Sequence, residues 1–136
     1  MGSQSLDDRT DLSRSAVTPF EIERRPLADD CLQIRVGGEL DLATSDRLLE
    51  ALEDALSSPV HVILDLQPCS FLDSTGIAAI LRARRQLADR GRVLCVVGAG
   101  GAVERVLDIT GLMASDLVKD DLETALLSCG LPAATV

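Results

Sequence analysis

Two short stretches, VHVILDL at 60–66 and RVLCVVG at 92–98, are almost unbroken aliphatic runs, and they constrain the fold more than any other feature of the chain. Both are short and rich in Val and Ile, so they read as strands covered on both faces rather than as buried helices. Between them the period becomes helical, with Ile77, Ile80, Leu81, Leu87 and Ala88 expected to face inward. Strand, helix and strand in that order make a right-handed crossover in a parallel sheet.

The pattern extends in both directions. Phe20, Ile22 and Arg24 alternate with Glu21, Glu23 and Arg25, and Leu32, Ile34 and Val36 alternate in the same way, so two half-exposed strands come first. The turn from Pro26 to Asp30 is too short for a crossover and predicts antiparallel neighbours. A helix follows with Leu48, Leu49, Leu52 and Leu56 as its stripe, Thr44 or Ser45 as N-cap and Pro59 as its stop. Beyond residue 98, Gly101 opens a helix carrying Val103, Val106 and Leu107 and ended by Gly111. Leu117 and Val118 supply a short last strand, and Asp120 caps a fourth helix with Glu123 in a capping-box relation. The order β-β-α-β-α-β-α-β-α predicts one α/β domain whose mixed, mostly parallel sheet is covered by helices. Residues 1–18, rich in Ser, Thr, Asp and Arg, are expected to be a flexible leader, 19–130 the domain, and 131–136 a C-terminal tail.

Composition narrows the function. The 136 residues fit one domain, and 46% apolar content is enough for a core. Phe20 and Phe71 are the only aromatics, so that core is aliphatic and no base-stacking platform exists. With 13 basic and 22 acidic residues the net charge is −9, which excludes a phosphate-binding footprint and therefore nucleic acid as a partner. No apolar run reaches the length of a membrane span and no secretory h-region is present, so the expectation is a cytoplasmic protein without membrane partners. Cys31, Cys69, Cys95 and Cys129 form no C-x-x-C pair, which leaves zinc unsupported and predicts buried, reduced thiols.

Catalytic patterns fit poorly. VVGAGG at 96–101 lacks the third glycine of a dinucleotide fingerprint and reads as a strand-to-helix turn. Ser74 lacks the first glycine of a nucleophile elbow, and the sole histidine, His61, lies inside a buried-looking strand. Asp41, Asp65 and Asp73 match no metal-ligand spacing. The expectation is a protein without enzymatic activity, cofactor or metal. What stands out is FLDSTG at 71–76, which puts Ser74 at a helix start, where free N–H groups and the helix dipole favour an anion, including a phosphoryl group on the serine itself. Gly76 would leave the first turn open to a partner backbone. The alternative is that Asp73 or Ser74 is simply an N-cap. In residues 74–92 that follow, Arg82, Arg84, Arg85, Arg90 and Arg92 against Asp89 leave +4, so the remainder carries −13. These arginines read mostly as a solvated helix face.

Over residues 20–128 the chain resembles the anti-sigma factor antagonists, the stand-alone members of the STAS domain family. GELDLATSDRLLEAL (38–52) is similar to the family's G-E-[LI]-D segment, VILDLQPCSFLDSTGIAAIL (62–81) to its third strand, D-S-x-G motif and second helix, and GGAVERVLDITGL (100–112) with KDDLETAL (119–126) to its later helices. The resemblance implies a single STAS-type domain. It implies phosphorylation of Ser74 by an anti-sigma factor that is itself an ATP-dependent serine kinase, and a partner surface at Asp41, Asp73, Ser74, Thr75 and Gly76. The unphosphorylated form would bind the anti-sigma factor and release the sigma factor, phosphorylation would end binding, and a serine phosphatase would reset it. Thr75 stands where many relatives carry Ser. The alternative within the family is a scaffold or accessory module, as in a stressosome or a lipid transporter.

Overall fold

The computed structural model describes residues 19–131, so the expected leader and residues 132–136 of the expected tail lie outside the described residues. Strand β1 (Glu21–Ala28) and strand β2 (Cys31–Leu40) are antiparallel neighbours, followed by helix α1 (Ser45–Leu56) and strand β3 (His61–Asp65). Strand β4 (Cys69–Leu72), helix α2 (Ser74–Ala88), strand β5 (Leu94–Val97) and helix α3 (Gly101–Ile109) come next. A 3-10 turn at Leu112–Ala114 and helix α4 (Leu122–Ser128) complete the order.

The sheet runs β1-β2-β3-β5, with β4 paired to the far end of β2. Every pairing except β1–β2 is parallel. The expected mixed, mostly parallel sheet is present, with three differences. The first is β4, an extra four-residue strand that the aliphatic pattern does not reveal, because its middle residues Ser70 and Phe71 are exposed. The second is the expected last strand, which shrinks to a single parallel bridge between Val96 and Val118. The third is β1, which runs through Pro26 to Ala28 before turning. At a sheet edge proline's missing donor is tolerated, and the register shifts there.

Side-chain alternation along the strands sorts the core into two layers. Ile34, Val36, Val62, Leu64, Leu94 and Val96 face α1, α2 and α3 and form the main core with Leu48, Leu52, Ile80, Leu87, Val103 and Leu107. The opposite face packs Cys31, Ile63, Cys95 and Val97 against Ala125, Leu126 and Cys129 at the end of α4. Helix α4 starts one residue later than expected. Asp121 is the N-cap, accepting from the Thr124 amide at 2.7 Å, so Asp120 is not the cap and Glu123 completes no capping box.

Helix α2 buries a narrower stripe than its aliphatic residues suggest. Gly76, Ala79, Ile80, Ala83 and Leu87 face inward, whereas Leu81 and Ala88 are exposed, because small residues let the helix lie close to the sheet. Gly76 is the tightest point: a Cβ there would stand 2.7 Å from Leu72 Cδ1 and 2.8 Å from Leu40 Cγ. Its missing side chain therefore serves packing against the strand ends, and it leaves no opening for a partner backbone. Gly76→Val should lower unfolding free energy by about 1–3 kcal/mol through overpacking, measured by urea denaturation, and an unchanged midpoint would contradict this packing.

All four cysteines are buried and free. Thiol titration of the denatured protein without reductant should therefore find four reactive thiols, and fewer would contradict the structure.

Candidate functional site

Leu40 and Leu72, the last residues of β2 and β4, are register partners in a parallel pair. Each strand is followed at once by an aspartate, so the pairing sets Asp41 and Asp73 side by side at the C-terminal edge of the sheet. That edge is where open α/β sheets present their ligand-facing loops. The strand ends are pinned, since the Asp73 amide donates to the Leu40 carbonyl at 3.2 Å and both leucines are fully buried. The bend that brings β2 here sits at Gly38. Its φ is +87°, and a Cβ would meet the Phe20 backbone at 2.8 Å, which explains the glycine in G-E-L-D. The ladder to β4 shifts register at the same place.

Asp73 is the N-cap of α2. Its Oδ1 accepts from the Thr75 amide at 2.9 Å, from the Gly76 amide at 3.2 Å and from the Thr75 hydroxyl. The Thr75 hydroxyl first, and then the amides of Gly76, Thr75 and Leu42, hold the Asp73 carboxyl below the usual carboxylate range. The capping contribution is complete above the ordinary carboxylate pKa and is lost as pH falls through the depressed value. The sequence alone left open which residue caps the helix, and the geometry assigns that role to Asp73. It also corrects the electrostatics. Two of the amides expected to be free for an anion are already taken by the Asp73 carboxylate, and the Ile77 amide bonds the Asp73 carbonyl at 3.1 Å.

Ser74 is the first residue of α2 and is exposed, and its hydroxyl has no hydrogen-bond partner among the described residues. Asp41 shapes the neighbouring loop. Its Oδ1 accepts from the Ala43 amide at 3.0 Å, an Asx-type turn, and its own amide donates to the Thr44 hydroxyl oxygen at 3.0 Å. Thr44 in turn donates to the Glu39 carbonyl at 2.7 Å, so as N-cap of α1 it uses its hydroxyl to tie the loop and makes no side-chain cap bond. The structure thus brings together Asp41, Asp73, Ser74 and Thr75 at one surface, with Gly76 buried beneath them.

Two apolar residues flank this surface, and sequence reasoning missed both. Leu42 is 76% exposed and Phe71 is 42% exposed. Leu42 follows Asp41 and Phe71 stands two residues before Asp73, a signal that was present but unreadable without knowing that β4 is a strand whose middle faces water.

The remaining polar candidates have structural partners. Asp65 is buried, accepts from the Gln67 amide at 2.9 Å and from Gln33 Nε2 at 3.2 Å, and lies 3.5 Å from Arg35 Nε. The glycine turn after β5 closes on it: Gly98 has φ +79°, and a Cβ there would fall 2.6 Å from Asp65 Oδ1. His61 accepts from the Val93 amide through Nδ1 at 3.0 Å, and burial first, against the opposing pull of Asp30, pushes its pKa down. A neutral, bonded histidine between two strands has no catalytic reach. No group of three or more His, Cys, Asp or Glu that could hold a metal ion occurs among the described residues.

The model of the STAS domain matches residues 23–125. An anti-sigma-B factor antagonist of Staphylococcus epidermidis is 34% identical over 85 residues, covering 62% of this chain and 79% of that protein. An anti-sigma F factor antagonist of Paenibacillus polymyxa is 31% identical over 97 residues, covering 70% and 83%. Among solved structures, unphosphorylated SpoIIAA superposes with a TM-score of 0.68 at 21% identity, covering 79% of this chain and 94% of that one. Phosphorylated SpoIIAA of Bacillus gives 0.62 at 19%, covering 79% and 97%, and at these identities both show the fold alone. With the STAS domain model matching residues 23–125, most of its length, the chain belongs to the STAS domain family.

Proposed function

We propose that this protein is an anti-sigma factor antagonist whose binding surface is switched by phosphorylation of Ser74. The observation that carries the reading is the setting of Ser74. It has an exposed hydroxyl at a helix start, without a hydrogen-bond partner among the described residues, on the sheet edge where Asp41 and Asp73 stand and near which Leu42 and Phe71 are exposed. Leu42 and Phe71 supply apolar area for a partner to cover, and the charged rim supplies register. The partner is an anti-sigma factor with serine kinase activity, and a serine phosphatase reverses the modification. The nucleotide belongs to the kinase, so this chain is substrate rather than catalyst. No helix among the described residues is long and apolar enough to cross a membrane, and the proposed exchange takes place in the cytoplasm.

Ser74 projects into solvent, so a phosphoryl group needs no repacking of the core. It gains from the positive end of the α2 dipole, worth about 0.3–1 kcal/mol at an exposed site. It gains little from the first-turn amides, because Asp73 occupies two of them. A group carrying about −1.5 to −2 charge then adds to Asp73 and Asp41 on one small surface. A partner docked there meets an unpaired, desolvated dianion costing several kcal/mol, which at about 1.4 kcal/mol per decade removes binding in practice.

Incubation with the cognate kinase and ATP should place phosphate on Ser74 and leave Thr75, whose hydroxyl is engaged by Asp73, unmodified by mass spectrometry. Ser74→Ala should bind the kinase and resist phosphorylation, while Ser74→Glu should bind poorly. Phosphate on Thr75, or a phosphoprotein that binds with undiminished affinity, would overturn the assignment. Asp41→Ala should weaken binding or phosphorylation while Tm falls by only about 2–6 °C, since the loop loses one amide–carboxylate hydrogen bond worth about 0.5–1.5 kcal/mol. A folded variant that binds and is phosphorylated normally would show Asp41 to be a loop support alone.

A further inference from the structure

The face of the sheet away from α1, α2 and α3 carries a cluster that the proposed switch does not use. Cys31 opens β2, Cys95 lies on β5, and Cys129 is the C-cap of α4, and all three belong to one buried packing cluster. Cys129 perturbs the titration of both Cys31 and Cys95, so its thiol is the one the other two share as a neighbour. Cys95 also lies 3.8 Å from the Ser128 hydroxyl.

The topology decides which sulfurs can join. Gln33 pairs with Ile63 and Ile63 with Cys95, so Cys31 and Cys95 stand two strands apart and two residues out of register. That is roughly 10 Å across the sheet and 6–7 Å along it, well beyond the ~7 Å Cα limit of a disulfide. Cys129, at the end of α4, packs in the same buried cluster as both. We propose that Cys31 and Cys129 are a disulfide-forming pair, a modification site that peroxide oxidises and that clamps α4 onto the sheet.

The environment selects this pair over Cys95–Cys129. Interaction with Cys129 draws the Cys31 thiol below its ordinary pKa, whereas Cys129 is pushed up to about 11, chiefly by Cys31, and Cys95 higher still, chiefly by Cys129. Cys31 is therefore the first thiolate, and thiolate is the nucleophile. It also lines an open cavity of about 350 Å³ shared with Pro26, Asp29, Asp54 and Val60, large enough to admit a peroxide. The Cys31 thiolate attacks one peroxide oxygen, forming S–O as O–O breaks, and the departing hydroxide takes a proton to become water. The Cys129 sulfur, giving up its proton, then attacks the sulfenic sulfur, forming S–S and releasing the second oxygen as water. Two thiols and one peroxide give one disulfide and two waters. The bond closes a loop from residue 31 to residue 129, nearly the whole described domain, so it restricts the unfolded chain strongly. It lies at the end of β2 opposite Asp41, so it is independent of the Ser74 switch.

The full chain should be treated with hydrogen peroxide, quenched and alkylated under denaturing conditions. Titratable thiols should fall from four to two, peptide mapping should identify Cys31 linked to Cys129, and Tm should rise by at least about 5 °C and return with reductant. Cys129→Ser should keep all three of its thiols, and Cys95→Ser should still lose two. Four thiols surviving peroxide, a bond through Cys69 or between chains, or loss of two thiols in Cys129→Ser would overturn the proposal. The mapping on the unaltered protein decides the matter even if a variant fails to fold.

Discussion

The pairing of Leu40 with Leu72 at the C-terminal ends of β2 and β4 is the contact on which the site depends. Both side chains are buried against Gly76, so the start of α2 is pressed onto the strand ends and cannot drift. Two motifs whose aspartates stand 32 residues apart, G-E-L-D and D-S-T-G, become one surface because the strand residues just before those aspartates, Leu40 and Leu72, pair with each other. The glycines follow from the same constraint. Gly38 lets β2 bend past the backbone of Phe20, and Gly76 lets α2 approach the two leucines. A binding residue placed directly after such a pinned strand end inherits its precision, which a free loop would not provide.

The charge arrangement around Ser74 then acquires a physical meaning. Asp73 spends its carboxylate on the first-turn amides, which anchors the helix and leaves the neighbouring hydroxyl facing water. A phosphate added there meets a helix end already served by one anion. On the proposed reading, a phosphate on Ser74 would be displayed at the surface rather than absorbed into the fold. Arg82, Arg84 and Arg85 lie at least two turns farther along α2, too distant to neutralise that charge directly.

The sheet's two faces are unequal. Three helices cover one with an aliphatic core, and α4 alone covers part of the other. Beside α4 that second face carries a polar network, in which Gln33, Arg35, Asp65 and Gln67 bond one another across β2 and β3. The thiol cluster lies under the one short helix on this face. Contacts there come from a seven-residue helix rather than from a layer of helices.

By itself the sequence determined the two central strands, the alternation of strands with helices, the aliphatic core and the motif that carries Ser74. These are legible because burial on both faces and the helical period leave unmistakable patterns in which residues are apolar. It did not determine β4, whose Ser70 and Phe71 face water, so that no alternation marks it, nor the inward stripe of α2, where close packing prefers Gly76, Ala79 and Ala83 over Leu81 and Ala88. It left Asp73 and Ser74 equal as caps, since either side chain can bond a first-turn amide and only the backbone path chooses. It gave no sign that Cys31, Cys95 and Cys129, spread over nearly a hundred residues, share one cluster. Each of these was decided by tertiary structure for one reason: which residues meet depends on strand pairing and helix docking, and these are long-range contacts that local periodicity does not encode.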